Sequence, residues 1–216
     1  MKSKINLKFN LVVFFLALAF VGCKEEKKFD DFKFPDKDIS IDCEKENLKL
    51  LINEAIYSFE DDITKFYSKD QPNINLAYSQ FVRNAINGRV KYTDIVSPHT
   101  VKVFEALKKE GKLWDAQNTK SHLNYNSAFF QCLADNIQDK NLKTTLNALI
   151  STNSMSPKLF GSPLMTRYNR ATSDKYLAGY IAFDLYYAKL FDVDLTQVKE
   201  KPIEDNKVDF NKVPTQ

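Results

Sequence analysis

The chain predicts an all-α fold: a single bundle of about six helices, held on an N-terminal tether and followed by a C-terminal tail. Three observations lead there. Apolar residues recur every three or four positions in about six separate segments. No run alternates apolar and polar residues for the length of a strand. Only 5 of 216 residues are glycine, too few for the turns of an all-β chain. No repeat of roughly 20–50 residues is visible, which argues against a solenoid.

The first segment sets an address. Lys2, Lys4 and Lys8 form a basic start, and Leu11 to Val21 is apolar throughout, about half of the ~20 residues that span a bilayer. This is the pattern of a signal peptide over residues 1–22. It ends in Phe20-Val21-Gly22-Cys23, which resembles the lipobox of a bacterial lipoprotein, with Phe20 where leucine is usual. The resemblance covers about a tenth of the chain. It implies cleavage before Cys23, acylation of that cysteine (palmitate among the chains), and a membrane as partner. Lys24 after the cysteine, instead of aspartate, resembles lipoproteins sorted to the outer membrane. The acids Glu25, Glu26, Asp30 and Asp31 resemble signals that send lipoproteins to the cell surface, and they equally suit a solvated spacer.

Loss of residues 1–22 removes three lysines and no acid, so the 31 basic residues fall to 28 against 28 acidic ones. The formal charge of +3 therefore belongs to the leader, and nucleic acid is not an expected partner. Residues 23–42 are densely charged and lack a helical period, as a disordered tether does.

The helical domain is expected over 43–195. Its first helix has Asp42 as N-cap and Glu44 in the first turn, with Leu48, Leu51, Ile52, Ala55, Ile56, Phe59, Ile63 and Phe66 inward and Glu60, Asp61 and Asp62 on a solvated face. After Pro72 a second helix carries Ala77, Tyr78, Phe81, Val82 and Ile86 inward and stops at Asn87-Gly88. Arg89–Val96 reads as an extended connection, with room for a short strand. Ser97-Pro98 starts a third helix that stops at Gly111. Lys112–Asn126, with Trp114 and His122, is a packed loop.

Ser127–Ile150 is helical with a break near Asp139, and Met155–Arg170 is a loop plugged by Phe160, Leu164 and Met165. The last helix runs from near Thr172 or Ser173 to about Phe191. Tyr176, Tyr180 and Tyr187 share one face, Leu177, Ile181, Leu185 and Ala188 another, so it should be central. Residues 196–216 read as a disordered tail.

Chemistry is constrained by two histidines, His99 and His122. G-x-S-x-G, H-E-x-x-H and paired C-x-x-C motifs are absent, so no catalytic triad, metal site or cofactor is expected. Outside the cytoplasm Cys43 and Cys132 can form a disulfide, with two buried thiols as the alternative. A bridge across so long a loop is worth ~4.5 kcal/mol on the chain-entropy account. Arg167, Tyr168, Arg170, Ser173 and Tyr176, at the start of the last helix, form a candidate anion or ligand site beside a capped helix start as the plainer reading. Asp184 falls among apolar residues, so it should be paired with Arg167 or Arg170, or open with Tyr180 into a tyrosine-lined cleft.

The function expected is thus that of a lipoprotein anchored outside the cytoplasm, non-enzymatic, binding a small ligand, a peptide or an envelope protein. An immunity or inhibitor protein is one alternative. A carboxylate-based hydrolase or lyase acting on polymers, with catalytic residues unassigned beyond Asp184, is the other.

Overall fold

A computed structural model describes residues 28–38 and 41–199, residues 46 and 47 in backbone only. Lys28–Asp30, which group with the N-terminal segment, carry no regular structure. From Asp31 onward the chain forms one helical unit without named strands among the described residues. No helix among them is long and apolar enough to cross a membrane. The signal peptide, the acylated Cys23 and the first part of the tether expected over residues 1–27, and residues 200–216 of the expected tail, lie outside the described residues.

Helix α1 (Glu46–Tyr67) pairs with α2 (Ile74–Ile86) through a turn fixed by Ser68, whose hydroxyl donates to the Thr64 carbonyl and accepts from the Asn73 N–H. Asn73 then caps α2 by accepting from the Leu76 N–H, supplying one partner for the open N–H groups of a helix start. A one-turn helix, α3 (Tyr92–Ile95), stands where an extended connection was expected. The Tyr92 hydroxyl pins it by donating to the Leu185 carbonyl at 2.8 Å. Helix α4 (Pro98–Leu107) begins at the Ser97-Pro98 signal, Ser97 accepting from the Thr100 N–H.

The loop that follows closes on itself through a bridge between Trp114 and Leu123, and the indole N–H donates to the Leu107 carbonyl. Helices α5 (Ala128–Asn136) and α6 (Lys140–Ser151) are separated at the expected break, where Asp139 caps α6. Helix α7 (Pro157–Met165) occupies the stretch expected to be a loop. Ser156 caps it and Pro157 opens it, and Pro163 is accommodated inside. Of its expected plugs, Phe160 and Leu164 are buried and Met165 is exposed.

A 3₁₀ turn (Tyr168–Thr172) leads into the last helix, which has three parts: α8 (Lys175–Tyr180), a π-helical stretch (Ile181–Tyr187) and α9 (Ala188–Leu190). Its N-cap is Asp174, not Thr172 or Ser173. All seven residues of the π stretch are buried. Phe59, Phe81 and Tyr186 pack with centroids 5.1–5.8 Å apart, Phe81 edge to face with each of the others and Phe59 tilted against Tyr186, joining this helix to α1 and α2. Phe183 reaches Phe129 at 4.8 Å on the α5 side. The predicted central helix is therefore central.

Gly179 permits this closeness, since a Cβ there would lie 2.7 Å from Ile41 Cδ1 and 3.1 Å from Leu133 Cδ2. Ile41 belongs to the segment expected as tether, yet it is buried. Residues 31–38 also pack: the N–H groups of Lys33 and Phe34 donate to the Glu54 carboxylate, and the Phe34 ring lies 6.1 Å from Tyr57. The aromatic and aliphatic residues scattered through the charged run hold it to α1. Cys43 and Cys132, separated by 89 positions, are bonded, which fastens the chain before α1 to α5 with Cα atoms 5.7 Å apart. Helix α1 accordingly starts at Glu46, after the bridge, and not at Asp42.

Candidate functional site

Two polar features could carry function, one closed and one open. The closed one surrounds Asp184, which is 0% exposed. Its partners are not arginines. The Ser121 hydroxyl donates to Oδ1 at 2.6 Å and the Tyr125 hydroxyl at 2.9 Å, while Ser121 accepts the Leu123 N–H. The carboxyl group thereby ties the 112–126 loop to the π stretch. Among the described residues Oδ2 and the buried Tyr180 hydroxyl have no hydrogen-bond partner of good geometry, although the Tyr180 hydroxyl is close enough to favour the charged form of the same carboxyl. Loss of hydration pushes the Asp184 pKa up; the donated hydrogen bonds and the charge of Lys189 oppose this incompletely. Burial and the neighbouring Asp184 raise Tyr125 and Tyr180 as well.

Asp62 repeats the arrangement. It is 2% exposed, accepts the Tyr186 hydroxyl at 2.7 Å and the Ser97 N–H at 3.1 Å, and desolvation raises its pKa. The Glu60–Asp62 triplet is thus not a solvated face. Glu60 accepts from Tyr78 and pairs with Lys175, Asp61 pairs with Lys33 and Lys65, and Asp62 faces the start of α4. Helix α1 has neighbours on so much of its circumference that its acids meet protein donors instead of water.

The arginine loop does not join Asp184. Arg167 and Arg170 are exposed; Arg167 Nε sits 3.5 Å from Asp139 Oδ2. Tyr168 and Tyr176 are half-buried, and the exposed Ser173 hydroxyl donates to the Arg170 carbonyl. The open N–H groups of the last helix are met by buried Asp174, which accepts from Leu177 and also from Gln138 N–H at 2.7 Å. The expected anion site is a capped helix start. Tyr180 and Asp184 come together, but without a cleft.

The histidines are engaged elsewhere. His99 Nε2 lies 2.6 Å from Glu54 Oε1, and His122 Nε2 lies 3.0 Å from Asp192 with its ring stacked on Phe191 at 4.8 Å. No group of three His, Cys, Asp or Glu side chains with metal-binding spacing occurs among the described residues. Asp184, Asp62 and Ser121 are all buried, so none of them presents an acid, base or nucleophile to a substrate.

The open feature is a groove of about 630 Å³. Four stretches line it: the end of α2 and the connection beyond it (Ala85, Ile86, Gly88, Val90, Tyr92), the start of α7 (Ser156–Lys158), Lys120 of the loop and Lys189 of the last helix. The backbone makes it. Gly88 sits at φ +64, a left-handed value natural to a helix stop, and it turns the chain off the α2 axis. At the other end α2 and α7 press together, because Gly161 is bare and a Cβ there would be 2.9 Å from Ile86 Cγ2.

The short connection alternates, with Val90 and Tyr92 lining the groove and Lys91 exposed between them. Sequence reasoning missed the groove because its residues come from four separated stretches, none with a motif. One local signal was legible, however: Ser156-Pro157 repeats the Ser97-Pro98 helix start. Groove and closed cluster lie side by side, since Lys120 precedes Ser121, Tyr92 holds the Leu185 carbonyl, and the charge of Lys189 reaches Asp184. No family model matches the chain, and no curated protein or solved structure matches it either.

Proposed function

We propose that this chain is a bacterial lipoprotein anchored through acyl chains on Cys23, outside the cytoplasm at the outer membrane, whose helical domain is a non-enzymatic binding module. The single observation that carries the binding half is the groove. At about 630 Å³, lined mainly by apolar side chains with a few polar groups, it falls within the ~300–1,000 Å³ range of small-molecule pockets. The acidic clusters that could have supported hydrolysis are buried and committed to fastening loops and helix starts. A binding module needs only that rigid frame and an open mouth. The anchoring half rests on the leader and on Phe20-Val21-Gly22-Cys23.

Native mass spectrometry of the protein extracted gently from its own membranes tests both halves. The expected spectrum shows a chain starting at an acylated Cys23 and carrying a small-molecule passenger. A chain cut elsewhere without lipid overturns the anchoring, and a bare chain overturns the binding.

A further inference from the structure

We propose that the groove takes a single-chain anionic amphiphile, a molecule with one carboxylate or phosphate head and a hydrocarbon body. This rests on the groove being the binding site and names what it selects. Its lining combines the side chains of Ala85, Ile86, Val90 and Pro157 and the ring of Tyr92 with three ammonium groups, those of Lys120, Lys158 and Lys189, and with no acid.

Those three lysines come from different parts of the chain. Among the described residues none of them has an ion pair, whereas Lys33, Lys65, Lys102, Lys108 and Lys175 all rest on carboxylates. Of the acids near Lys189 in sequence, Asp192 sits 3.0 Å from His122 and Asp184 is walled off at 0% exposure and bonded to Ser121 and Tyr125, and neither lines the groove.

Three like charges around an apolar trough repel one another, and an anionic head relieves that repulsion while its tail covers apolar surface. A cationic ligand or a partner bearing a basic patch gains nothing here. The trough is the size of a small-molecule pocket, which favours a free single-chain amphiphile over the headgroup of a lipid still seated in a bilayer.

The test uses the mature chain from residue 23 with Cys23→Ser, so that no acyl chain of its own competes, titrated calorimetrically with palmitate and with hexadecanol. Palmitate is expected to bind one to one and hexadecanol at least tenfold more weakly. The exposed pair Lys120→Glu and Lys158→Glu is expected to weaken palmitate roughly tenfold, as loss and reversal of rim charges does, with an unchanged circular dichroism spectrum. Palmitate binding should also fall with added salt.

Equal affinity for palmitate and hexadecanol, both abolished by Ala85→Trp, would overturn the anionic selection and leave the groove as binding site. Binding of neither probe, or palmitate binding indifferent to Ala85→Trp, would overturn both. Binding only to phosphatidylglycerol vesicles, with no affinity for free palmitate, would overturn the single-chain amphiphile in favour of a bilayer surface.

Discussion

The Asp184 cluster and the lysine groove both lean on the last helix, and they treat charge in opposite ways. Around Asp184 a lone carboxyl is taken fully out of water and satisfied by hydroxyl donors from a loop. In the groove three lysines line an apolar trough whose lining, among the described residues, holds no acid. A buried charge costs several kcal/mol unless partnered, so the first arrangement fixes structure. Exposed like charges keep their hydration and attract what is missing, so the second suits recognition. The residues richest in chemistry are therefore the scaffold, and the residues poorest in motif line the proposed site.

The largest expected effect removes a restraint that both regions share. Replacing Cys43 and Cys132 by serine opens a loop spanning 89 positions. This should cost about 4 kcal/mol, or about 10 °C in Tm by calorimetry, with groove and cluster melting together.

Asp184→Ala comes next, at about 3 kcal/mol by urea denaturation, because the Ser121 and Tyr125 hydroxyls lose their buried acceptor. Its folded fraction should still bind palmitate. Loss of binding out of proportion to unfolding would break the separation drawn between the two regions.

Glu54→Ala should cost about 2 kcal/mol, since it strips the acceptor from two backbone N–H groups and from His99. Faster hydrogen exchange at residues 31–38, with the groove unaffected, is the readout.

A smaller effect sharpens the account of Asp184 by its pH dependence. Its folded pKa lies above the ordinary carboxylate value of about 3.9, so the folded state keeps a proton that the unfolded chain gives up. The stability tied to that proton is present below the ordinary value and is lost as pH rises through the folded one. Asparagine keeps an acceptor for Ser121 and Tyr125 and adds a donor where Oδ2 has no partner. Asp184→Asn should therefore gain on the wild type as pH rises from about 4. Parallel Tm curves against pH would show that the carboxyl does not titrate differently on folding.

Much of the fold was legible because it depends on local spacing. Leu177, Ile181 and Leu185 with Tyr180 and Tyr187 announced a helix buried all round, and Ser97-Pro98 and Gly88 marked its neighbours' ends. The site was not legible in this way. Glu60, Asp61 and Asp62 read as solvated because sequence shows charge and not the number of helices packed around it. Asp184 was rightly read as buried, but its partners proved to be hydroxyls on a loop about 60 positions away, which no period can indicate. Lys120, Lys158 and Lys189 look like ordinary surface lysines until the turn at Gly88 and the start of α7 open a space between them.

The division between closed scaffold and open site is tested most directly by one titration of palmitate into two variants, Ala85→Trp and Asp184→Asn, well below either Tm. The account predicts that Ala85→Trp, which fills the trough, binds at least tenfold more weakly at wild-type stability, and that Asp184→Asn binds as the wild type does. Undiminished binding by Ala85→Trp, or its loss in folded Asp184→Asn, would contradict it and move the site to the carboxyl cluster.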